Sequence, residues 1–360
     1  MGRRRMVDIH GYEMVAVGEP LRPAERLGAD PGPEEVVVRV AGCGICHTDL
    51  GFLDDGVPTR HDLPLILGHE ISGTVIATGK EAADWLHAQV VVPAVIPCGA
   101  CDACEEGRGS ICRHQIFPGN DIDGGFADHV VVPALGLCRV PDLEGTDVDL
   151  ASLSVLADAV TTPYQSILRS GLGEGDFAVF IGVGGVGAFG VQIARALGAT
   201  VAAIDVDAER LERIRGYGAA LTLDAKDQSP RDIKKILRGF AKEEGLLQRC
   251  WRIFETSGHP AGQETAFGLL VPGAYLGIVG FTPKKVSVPV SHLMAHDATA
   301  QGNWGCLPEH YPAALDLVLK GKVVLEPFMT RRRLDQVNEA LDDLREHRIK
   351  ERVVLEPATS

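Results

Sequence analysis

The stretch "FAVFIGVGGVGAFGVQIARALG", Phe177 to Gly198, contains the pattern that decides the fold. It opens with apolar and β-branched residues typical of a strand, passes through a G-x-G-x-x-G motif, and then repeats apolar residues at helical spacing. Glycines in this arrangement let the backbone turn tightly and approach a pyrophosphate, whose charge is met by N–H groups at the helix N-terminus. The stretch therefore predicts a strand, a dinucleotide-binding loop and a helix. The predicted loop residues are Gly182, Gly184, Gly185, Val186 and Gly187.

The same stretch has a second interpretation, because Phe177 to Ala194 is uncharged and reaches the length of a membrane-spanning helix. However, five glycines and Gln192 interrupt the apolar run. Glycines in this number favour strand, turn and helix over a continuous span. We expect no membrane insertion.

Asp205 ends the next strand-like run, "TVAAID", about where a carboxylate accepts hydrogen bonds from the adenosine ribose hydroxyls. A phosphorylated ribose would be repelled by this carboxylate and would favour a nearby Arg or Lys, whereas Val206 and Asp207 follow. The pattern predicts NAD as the cofactor and disfavours NADP.

Strand-like and helix-like segments alternate from about Asp176 to about Asn303, which predicts an α/β fold with a doubly wound parallel sheet. Before this region, short β-rich runs broken by Gly and Pro predict a compact β-barrel-like domain. We expect residues 1–160 to form the β-rich domain, 161–305 to form the dinucleotide domain, and 306–360 to return to the first domain.

Composition restricts the function classes. A chain of 360 residues with 45% hydrophobic residues is long enough for two domains, and its net charge of −14 provides no broad basic surface for nucleic acid. The basic N-terminal residues are followed by an acid and a His, where a secretory signal would need an apolar run. These features predict a cytoplasmic protein without a nucleic-acid partner.

Nine cysteines in such a chain need a function other than disulfide formation, because reducing compartments keep thiols reduced. The segment "PCGACDACEEGRGSIC" has the spacing C-x2-C-x2-C-x7-C within residues 98–112. Four thiolates on short loops suit tetrahedral zinc, and four such ligands leave no open coordination position, so the metal would be structural. Unconnected free thiols are the alternative. The predicted ligands are Cys98, Cys101, Cys104 and Cys112.

The stretch "VAGCGICHTDL" leaves two alternatives open, since Cys43 and Cys46 have the spacing of a redox dithiol, whereas Cys46 followed by His47 also suits a metal site. A metal held by Cys46 and by His69, from "LILGHEISG", would need a third protein ligand. Asp158 is a candidate, because an acid among apolar and small residues usually has a partner. The alternative for Asp158 is a helix-capping or hydrogen-bonded acid.

Taken together, "GCGICHTD", "GHE", the four-cysteine loop and "GVGGVG" resemble, in order and approximate spacing, the zinc-dependent medium-chain alcohol dehydrogenases. The resemblance covers essentially the whole chain and implies a GroES-like catalytic domain beside a Rossmann domain. It implies a catalytic zinc bound by Cys46, His69 and Asp158, with Glu70 as an alternating or second-shell ligand. Many family members have Cys at the position of Asp158. Cys43 would then be a buried bystander, and each chain would hold two Zn²⁺ ions.

The resemblance also implies the chemistry. Zinc favours the ionised form of a bound substrate hydroxyl, and the carbinol hydride moves to the nicotinamide. Thr48 matches the family hydroxyl that passes the proton onward, but Gly51 replaces the relay His of many members. His47 is a candidate to replace this His in the proton relay. The alternatives are that His47 contacts the pyrophosphate or that it only shapes the loop. Arg352 matches a family Arg on the pyrophosphate, with a solvated surface Arg as the alternative.

Several longer stretches resemble one branch of the family, the 6-hydroxycyclohex-1-ene-1-carbonyl-CoA dehydrogenases of anaerobic benzoyl-CoA degradation. This resemblance implies oxidation of a secondary ring alcohol of an acyl-CoA thioester to the 6-oxo product. The alternatives are a dehydrogenase for another secondary alcohol or polyol, and a non-catalytic zinc- and NAD-binding protein. The resemblance further implies a homodimer or homotetramer. The stretches are "GFLDDGVPTRHDLPLILGHEISG", "FPGNDIDGGFADHVVVPALGLC", "LADAVTTPYQ" and "GNWGCLPEHYPAALDLVL".

Overall fold

The computed structural model describes residues 7–358. Its strands are β1 (Val7–Met14), β2 (Arg22–Ala29), β3 (Glu35–Gly44), β4 (Leu65–Ile66), β5 (Glu70–Thr78), β6 (Gln89–Val92), β7 (His129–Pro133), β8 (Cys138–Arg139), β9 (Phe177–Ile181), β10 (Thr200–Asp205), β11 (Leu221–Asp224), β12 (Arg252–Glu255), β13 (Tyr275–Ile278), β14 (Thr299–Gly302), β15 (Met329–Arg333) and β16 (Arg352–Glu356).

The α-helices are α1 (His47–Leu53), α2 (Asp102–Glu105), α3 (Thr161–Ser170), α4 (Gly187–Ala196), α5 (Ala208–Arg215), α6 (Pro230–Glu243), α7 (Pro260–Gly268), α8 (Ser291–His296), α9 (Tyr311–Leu319) and α10 (Val337–Arg345). Short 3₁₀ helices cover Ala83–Trp85, Gly109–Ile111, Ser152–Ala157, Pro308–His310, Glu326–Phe328 and Leu334–Gln336. Among the described residues, no helix combines the length and apolarity that crossing a bilayer requires.

One compact unit contains Thr162–Trp304 and Leu317–Val324. Its six-stranded sheet has the order β11-β10-β9-β12-β13-β14, and every pairing is parallel. Strands β10 and β11 lie on one side of β9, and the later strands β12, β13 and β14 lie on the other side. The strand order therefore reverses between β9 and β12. This is the doubly wound topology predicted from the sequence, and ligands of such sheets bind at the carboxyl ends of the strands beside the reversal.

The glycine-rich stretch forms β9, a loop and α4 rather than one long helix, so the membrane interpretation is wrong. All five residues of β9 are buried, as expected of a central parallel strand. Gly182 has φ of +84°, and a Cβ on Gly187 would lie 1.9 Å from the Gly182 carbonyl oxygen. Only glycine at position 187 allows the helix to begin this close to the strand.

The other unit contains the chain up to Thr161, Gly305–Asp316 and the segment from Leu325 onward. It has a three-stranded sheet in the order β2-β1-β4. It also has a seven-stranded sheet, whose main path has the order β15-β16-β3-β5-β6-β8 and whose seventh strand, β7, pairs with β3. The C-terminal strand β16 pairs antiparallel with β3, with Leu355 opposite Cys43. Apolar side chains from both ends of the sequence thus share one core.

Candidate metal and dinucleotide sites

Cys46 lies where β3 ends and α1 begins. It is the N-cap residue of α1, and its backbone N–H donates to Asp49 Oδ2 at 2.8 Å. This contact satisfies an N–H that would otherwise be unpaired at the helix start. The Cys46 Sγ lies 3.6 Å from Thr48 Oγ1.

His69 and Glu70 lie where β5 begins, and Gly68 precedes them with φ of +97°. His69 is 1% exposed, and its Nδ1 lies 3.4 Å from Asp49 Oδ1. Burial alone would lower the pKa of His69, but the charge of Asp49 and the contact with Asp158 raise this pKa well above its ordinary value. The imidazole is therefore surrounded by negative charge, as in a site for a cation.

Asp158 completes this group of ligands from the end of the 3₁₀ helix Ser152–Ala157. Asp158 Oδ2 lies 3.6 Å from Cys46 Sγ and 3.7 Å from His69 Nε2. One potential ligand atom from each of Cys46, His69, Glu70 and Asp158 lies within 4.8 Å of the other three.

Thiolate, imidazole and carboxylate are the ligands that zinc prefers, and both Glu70 carboxylate oxygens are buried without a hydrogen-bond donor. The four side chains therefore fit a zinc ion. We call them the Cys46 group.

Arg352 is buried beside the Cys46 group, with 5% of its surface exposed, so the alternative of a solvated surface Arg is wrong. Its Nη1 donates to the Ile45 carbonyl at 3.0 Å, and its Nη2 lies 3.5 Å from Glu70 Oε1. Burial raises the pKa of Glu70 to about 7, although the charge of Arg352 opposes this rise. A contact of Arg352 with a pyrophosphate stays a prediction.

The four cysteines of residues 98–112 form a second group, which we call the four-cysteine group. Tetrahedral zinc with Zn–S bonds of about 2.3 Å would place the sulfurs about 3.8 Å apart. The observed Sγ–Sγ distances are 3.5 Å for Cys101–Cys104 and Cys98–Cys112, 3.7 Å for Cys101–Cys112 and 4.0 Å for Cys98–Cys104.

All nine cysteines are free, so these short distances are not disulfides. Burial raises the pKa of the Cys112 thiol above its ordinary value, and the backbone N–H groups of Cys98 and His114, which donate to Cys112 Sγ at 3.4 and 3.3 Å, oppose this rise. The residues fit a structural zinc.

Asp205 ends β10 beside the glycine loop, as the sequence predicts, and is 7% exposed. Its carboxylate accepts three backbone hydrogen bonds, from Val183 at 2.7 Å, Val206 at 2.8 Å and Asp207 at 3.0 Å. Asp205 therefore orders the glycine loop, a function that the sequence analysis did not assign to it. Contact with a ribose stays a prediction.

Arg210 on α5 is a residue that the sequence analysis missed. A Cβ on Gly184 would lie 3.4 Å from Arg210 Nη1, so a guanidinium lies against the glycine loop. The prediction of NAD over NADP depends on Asp205 and on the two residues that follow it, Val206 and Asp207. Arg210 comes one helical turn later, and the sequence position alone gave no indication of its direction.

The remaining predicted residues differ in exposure. Thr48 is half-buried beside Cys46, whereas His47 is exposed at the start of α1. A Cβ on Gly51 would contact only Val57, at 3.7 Å, so the backbone there has room for a side chain that this sequence lacks.

Cys43 is fully buried, and burial raises the pKa of its thiol, which disfavours the redox interpretation.

A dinucleotide loop on a doubly wound sheet, together with one group of mixed zinc ligands and one group of four cysteines, defines a class of protein: the NAD-dependent zinc oxidoreductases. Comparison with known proteins supports this class. Residues 32–142 match the alcohol dehydrogenase GroES-like domain, and residues 185–320 match the zinc-binding dehydrogenase family.

Three similar proteins show how far the likeness extends. The chain is 31% identical to a geraniol dehydrogenase of Castellaniella defragrans, covering 90% of this chain and 91% of that protein. It is 26% identical to an alcohol dehydrogenase of Geobacillus stearothermophilus, over 93% and 94%. The crystal structure of galactitol-1-phosphate dehydrogenase from Escherichia coli has a TM-score of 0.86 at 26% identity, covering 97% of this chain and 100% of that chain.

The chain belongs to the zinc-dependent medium-chain alcohol dehydrogenase family. The predicted α/β fold, with GroES-like and Rossmann parts, is confirmed, as is the assignment to the NAD-dependent zinc oxidoreductases. The non-catalytic alternative is correspondingly disfavoured.

Proposed function

We propose that the chain oxidises a secondary alcohol to a ketone with NAD, using a zinc ion bound by Cys46, His69 and Asp158. The observation that supports this proposal is the convergence of thiol, imidazole and carboxylate atoms within 4.8 Å. Zinc would act as a Lewis acid that stabilises the ionised form of the substrate hydroxyl near neutral pH. The four-cysteine group would hold a second, structural zinc.

The side chains around the Cys46 group would then position the substrate and move its proton. Oxidation of an alcohol to a ketone releases a hydride, accepted by NAD, and a proton. Thr48 is the hydroxyl next to Cys46 and would accept this proton through a hydrogen bond from the substrate oxygen. Glu70 lies between the metal site and the Arg352 guanidinium, whose Nη2 is 3.5 Å from Glu70 Oε1. Glu70 would add negative charge next to the metal ion or replace one of its three ligands.

The route of the proton beyond Thr48 differs from that of many relatives, because Gly51 has no side chain to relay it. His47 is exposed at the start of the same helix and would exchange a proton with solvent. Replacement of His47 by Gln should then lower turnover most at low pH and be partly reversed by added imidazole. An unchanged pH profile would assign His47 to loop structure or pyrophosphate contact instead.

For the substrate, we propose 6-hydroxycyclohex-1-ene-1-carbonyl-CoA, oxidised to 6-oxocyclohex-1-ene-1-carbonyl-CoA in anaerobic aromatic catabolism. The support is the resemblance of four sequence stretches, of which Gly51–Gly73 contains His69 and Glu70, and Leu156–Gln165 contains Asp158. The second candidate is another secondary alcohol or a polyol. The name of one relative, a galactitol 1-phosphate 5-dehydrogenase of Escherichia coli, favours this candidate, since galactitol is a polyol.

Steady-state assays with NAD would separate these candidates. The cyclic thioester, its thioester-free acid and simple secondary alcohols would be compared at matched concentrations. A kcat/KM for the thioester at least about 100-fold above the others would support the first candidate, because this ratio corresponds to about 2.7 kcal/mol of transition-state binding. Equal turnover of a simple alcohol would favour the second.

The cofactor proposal is NAD over NADP, and Asp205→Gly tests it. Loss of the carboxylate should erode the preference for NAD, and the loop hydrogen bonds lost with it should also weaken binding of both dinucleotides. The variant Arg210→Ala separates the two effects, because it should weaken NADP more than NAD. Unchanged cofactor preference in Asp205→Gly would count against the ribose contact.

We further propose a homodimer or homotetramer in the cytoplasm. Within residues 7–358, the edge strand β14 pairs only with β13, and an open strand edge is available to a second copy of the chain. Nine cysteines that form no disulfide bonds suit a reducing compartment. Light scattering coupled to gel filtration would give the oligomeric state.

A further inference from the structure

The segment Gly305–Tyr311 packs against the loop of residues 98–112 and against the chain that leads into this loop. A Cβ on Gly305 would lie 2.7 Å from Val95 Cγ2, and a Cβ on Gly109 would lie 3.0 Å from Leu307 Cδ2. Such distances leave no room for solvent between the two segments. The segment therefore supports the base of the loop that holds the four cysteines.

Tyr311 connects this support to the Cys46 group. Its side chain is fully buried, and its hydroxyl accepts a hydrogen bond from Ala94 N at 3.2 Å and donates to the Ala157 carbonyl. Ala94 lies just after β6 and four residues before Cys98. Ala157 is the residue immediately before Asp158.

We infer that Tyr311 is a positioning residue that holds the Asp158 carboxylate in place by joining its backbone to the base of the four-cysteine loop. Asp158 needs such support, because it follows the last residue of a short 3₁₀ helix and has φ of −139° and ψ of −57°, outside regular helix geometry. The inference rests on the proposed function, in which Asp158 is a zinc ligand.

A second hydroxyl contacts the same carbonyl. Thr161 Oγ1 donates to the Ala157 oxygen at 3.2 Å. Removal of the Tyr311 hydroxyl would thus leave this carbonyl with a donor, while the Ala94 N–H would lose its acceptor at a buried position. The connection between the two segments would be broken, although the aromatic ring would still fill its space.

The variant Tyr311→Phe tests the inference in the full-length, metal-loaded protein. Loss of partners that orient metal ligands typically weakens metal affinity about 10–100-fold, so we expect release of the Cys46-group metal to a chelator to accelerate by a similar factor. With cobalt in place of zinc, the absorption bands of this site should shift. The four-cysteine metal should be released at the native rate.

Tyr275→Phe is the matched control, because it removes another buried tyrosine hydroxyl, which donates to Gln301 Oε1 at 3.1 Å in the other unit. This control should keep native release rates and cobalt spectra. Native behaviour of folded Tyr311→Phe at the Cys46 group would overturn the inference.

Should Tyr311→Phe fail to fold, hydrogen–deuterium exchange of the unmodified protein provides a second measurement. Selective removal of the Cys46-group metal by a chelator should speed exchange of the Ala94 N–H, because the Tyr311 hydroxyl couples this N–H to the backbone before Asp158 and such coupling is reciprocal. Unchanged exchange of the Ala94 N–H would then overturn the inference. Failure of the proposed function is distinguishable, because it would appear in the unmodified protein as absence of metal-dependent alcohol oxidation.

Discussion

Asp49 uses both carboxylate oxygens inside the protein. Oδ2 accepts the Cys46 N–H, and Oδ1 lies 3.4 Å from His69 Nδ1, so one side chain orients two of the predicted zinc ligands. Carboxylates that contact the second nitrogen of a ligating His fix its tautomer and direction. An acid three residues after Cys46, at the start of α1, is the sequence feature that weakly indicates this function.

The variant Asp49→Asn keeps the shape of the side chain but removes its charge. We expect zinc affinity of the Cys46 group to fall about 10–100-fold, because the imidazole loses its anionic partner. Competition with a chelator on purified protein measures this affinity. Asp54→Asn, which disturbs an Asp54–Arg345 ion pair at the other end of the same helix, should leave zinc affinity unchanged. Equal affinities of the two variants would contradict the expectation.

At the scale of single residues, the ligand types were predictable and their partners were not. Cys46 and His69 belong to short motifs that are visible in the sequence. Asp158 was a candidate because acids are rare among apolar residues, and it lies 3.6 Å from Cys46 Sγ. Tyr311 had no such pattern, since its contacts with Ala94 and Ala157 depend on backbone groups distant in sequence.

The β9–loop–α4 element depends on a glycine whose replacement has a clear steric consequence. A Cβ at position 187 would lie 1.9 Å from the Gly182 oxygen and 2.6 Å from Thr256 Oγ1. Gly187→Ala should therefore weaken NAD binding roughly 10-fold or more, because overpacking of this kind typically costs about 1–3 kcal/mol. Equilibrium binding followed by nucleotide fluorescence measures the change.

The matched control is Gly239→Ala in α6, where a Cβ would have no neighbour within 4 Å. Alanine is favoured over glycine inside a helix by about 1 kcal/mol, so this variant should bind NAD normally and be slightly more stable. A Gly187→Ala protein with native NAD affinity would show that the loop can move aside.

Arg331 joins the last strands of the chain to an earlier loop. Its guanidinium contacts Asp149 at 2.7 Å, Glu326 at 2.6 Å and Glu356 at 2.8 Å. Burial alone would raise the pKa of Asp149, but hydrogen bonds from Ser152 and Arg331 lower this pKa below its ordinary value. The ionised form of Asp149 is therefore stabilised in the folded state.

This shift predicts a pH-dependent effect of Asp149→Asn. Since the folded pKa is lowered, the contribution of Asp149 is present above its unfolded pKa of about 3.9 and is lost as the pH falls below this value. We expect a loss of about 0.5–1 kcal/mol in unfolding free energy near pH 7, because the pair is partly exposed, and a smaller loss near pH 3.

Urea unfolding at the two pH values measures the difference. Asp142→Asn, at an exposed position earlier in the same region, should have little effect at either pH. A constant deficit of Asp149→Asn at both pH values would assign the effect to packing rather than to charge.

At the scale of the whole molecule, the two ligand groups predict two zinc ions per chain. Cys46→Ser should retain one zinc, that of the four-cysteine group, and lose turnover. Its NAD affinity should stay within about a few-fold of native, since the glycine loop belongs to the other unit. Elemental analysis, activity and NAD titration provide the three measurements.

Cys250→Ser is the control for this experiment, because Cys250 is half-buried and lies outside both ligand groups. It should keep two zinc ions and full turnover. One zinc or none in the unmodified, fully loaded protein would contradict the assignment of two sites.

The sequence by itself predicted the parallel sheet, the glycine loop and the four-cysteine group, because each depends on local spacing, whereas the combination of Cys46, His69 and Asp158 followed only from the family resemblance. Gly182 and Gly187 indicate a loop, and four cysteines within residues 98–112 indicate a closed metal site. Periodicity and spacing are properties of neighbouring residues, so no long-range contact is needed to recognise them.

Only the tertiary structure decided which side chains support these sites. Arg352 is buried beside Glu70, Arg210 lies against Gly184, and Tyr311 joins Ala94 to the backbone before Asp158. These contacts connect residues that the chain brings together from distant positions, and several of them end on backbone atoms that every residue shares. A sequence specifies such contacts only through the packed core, where burial makes each unpaired polar group costly and so fixes its partner.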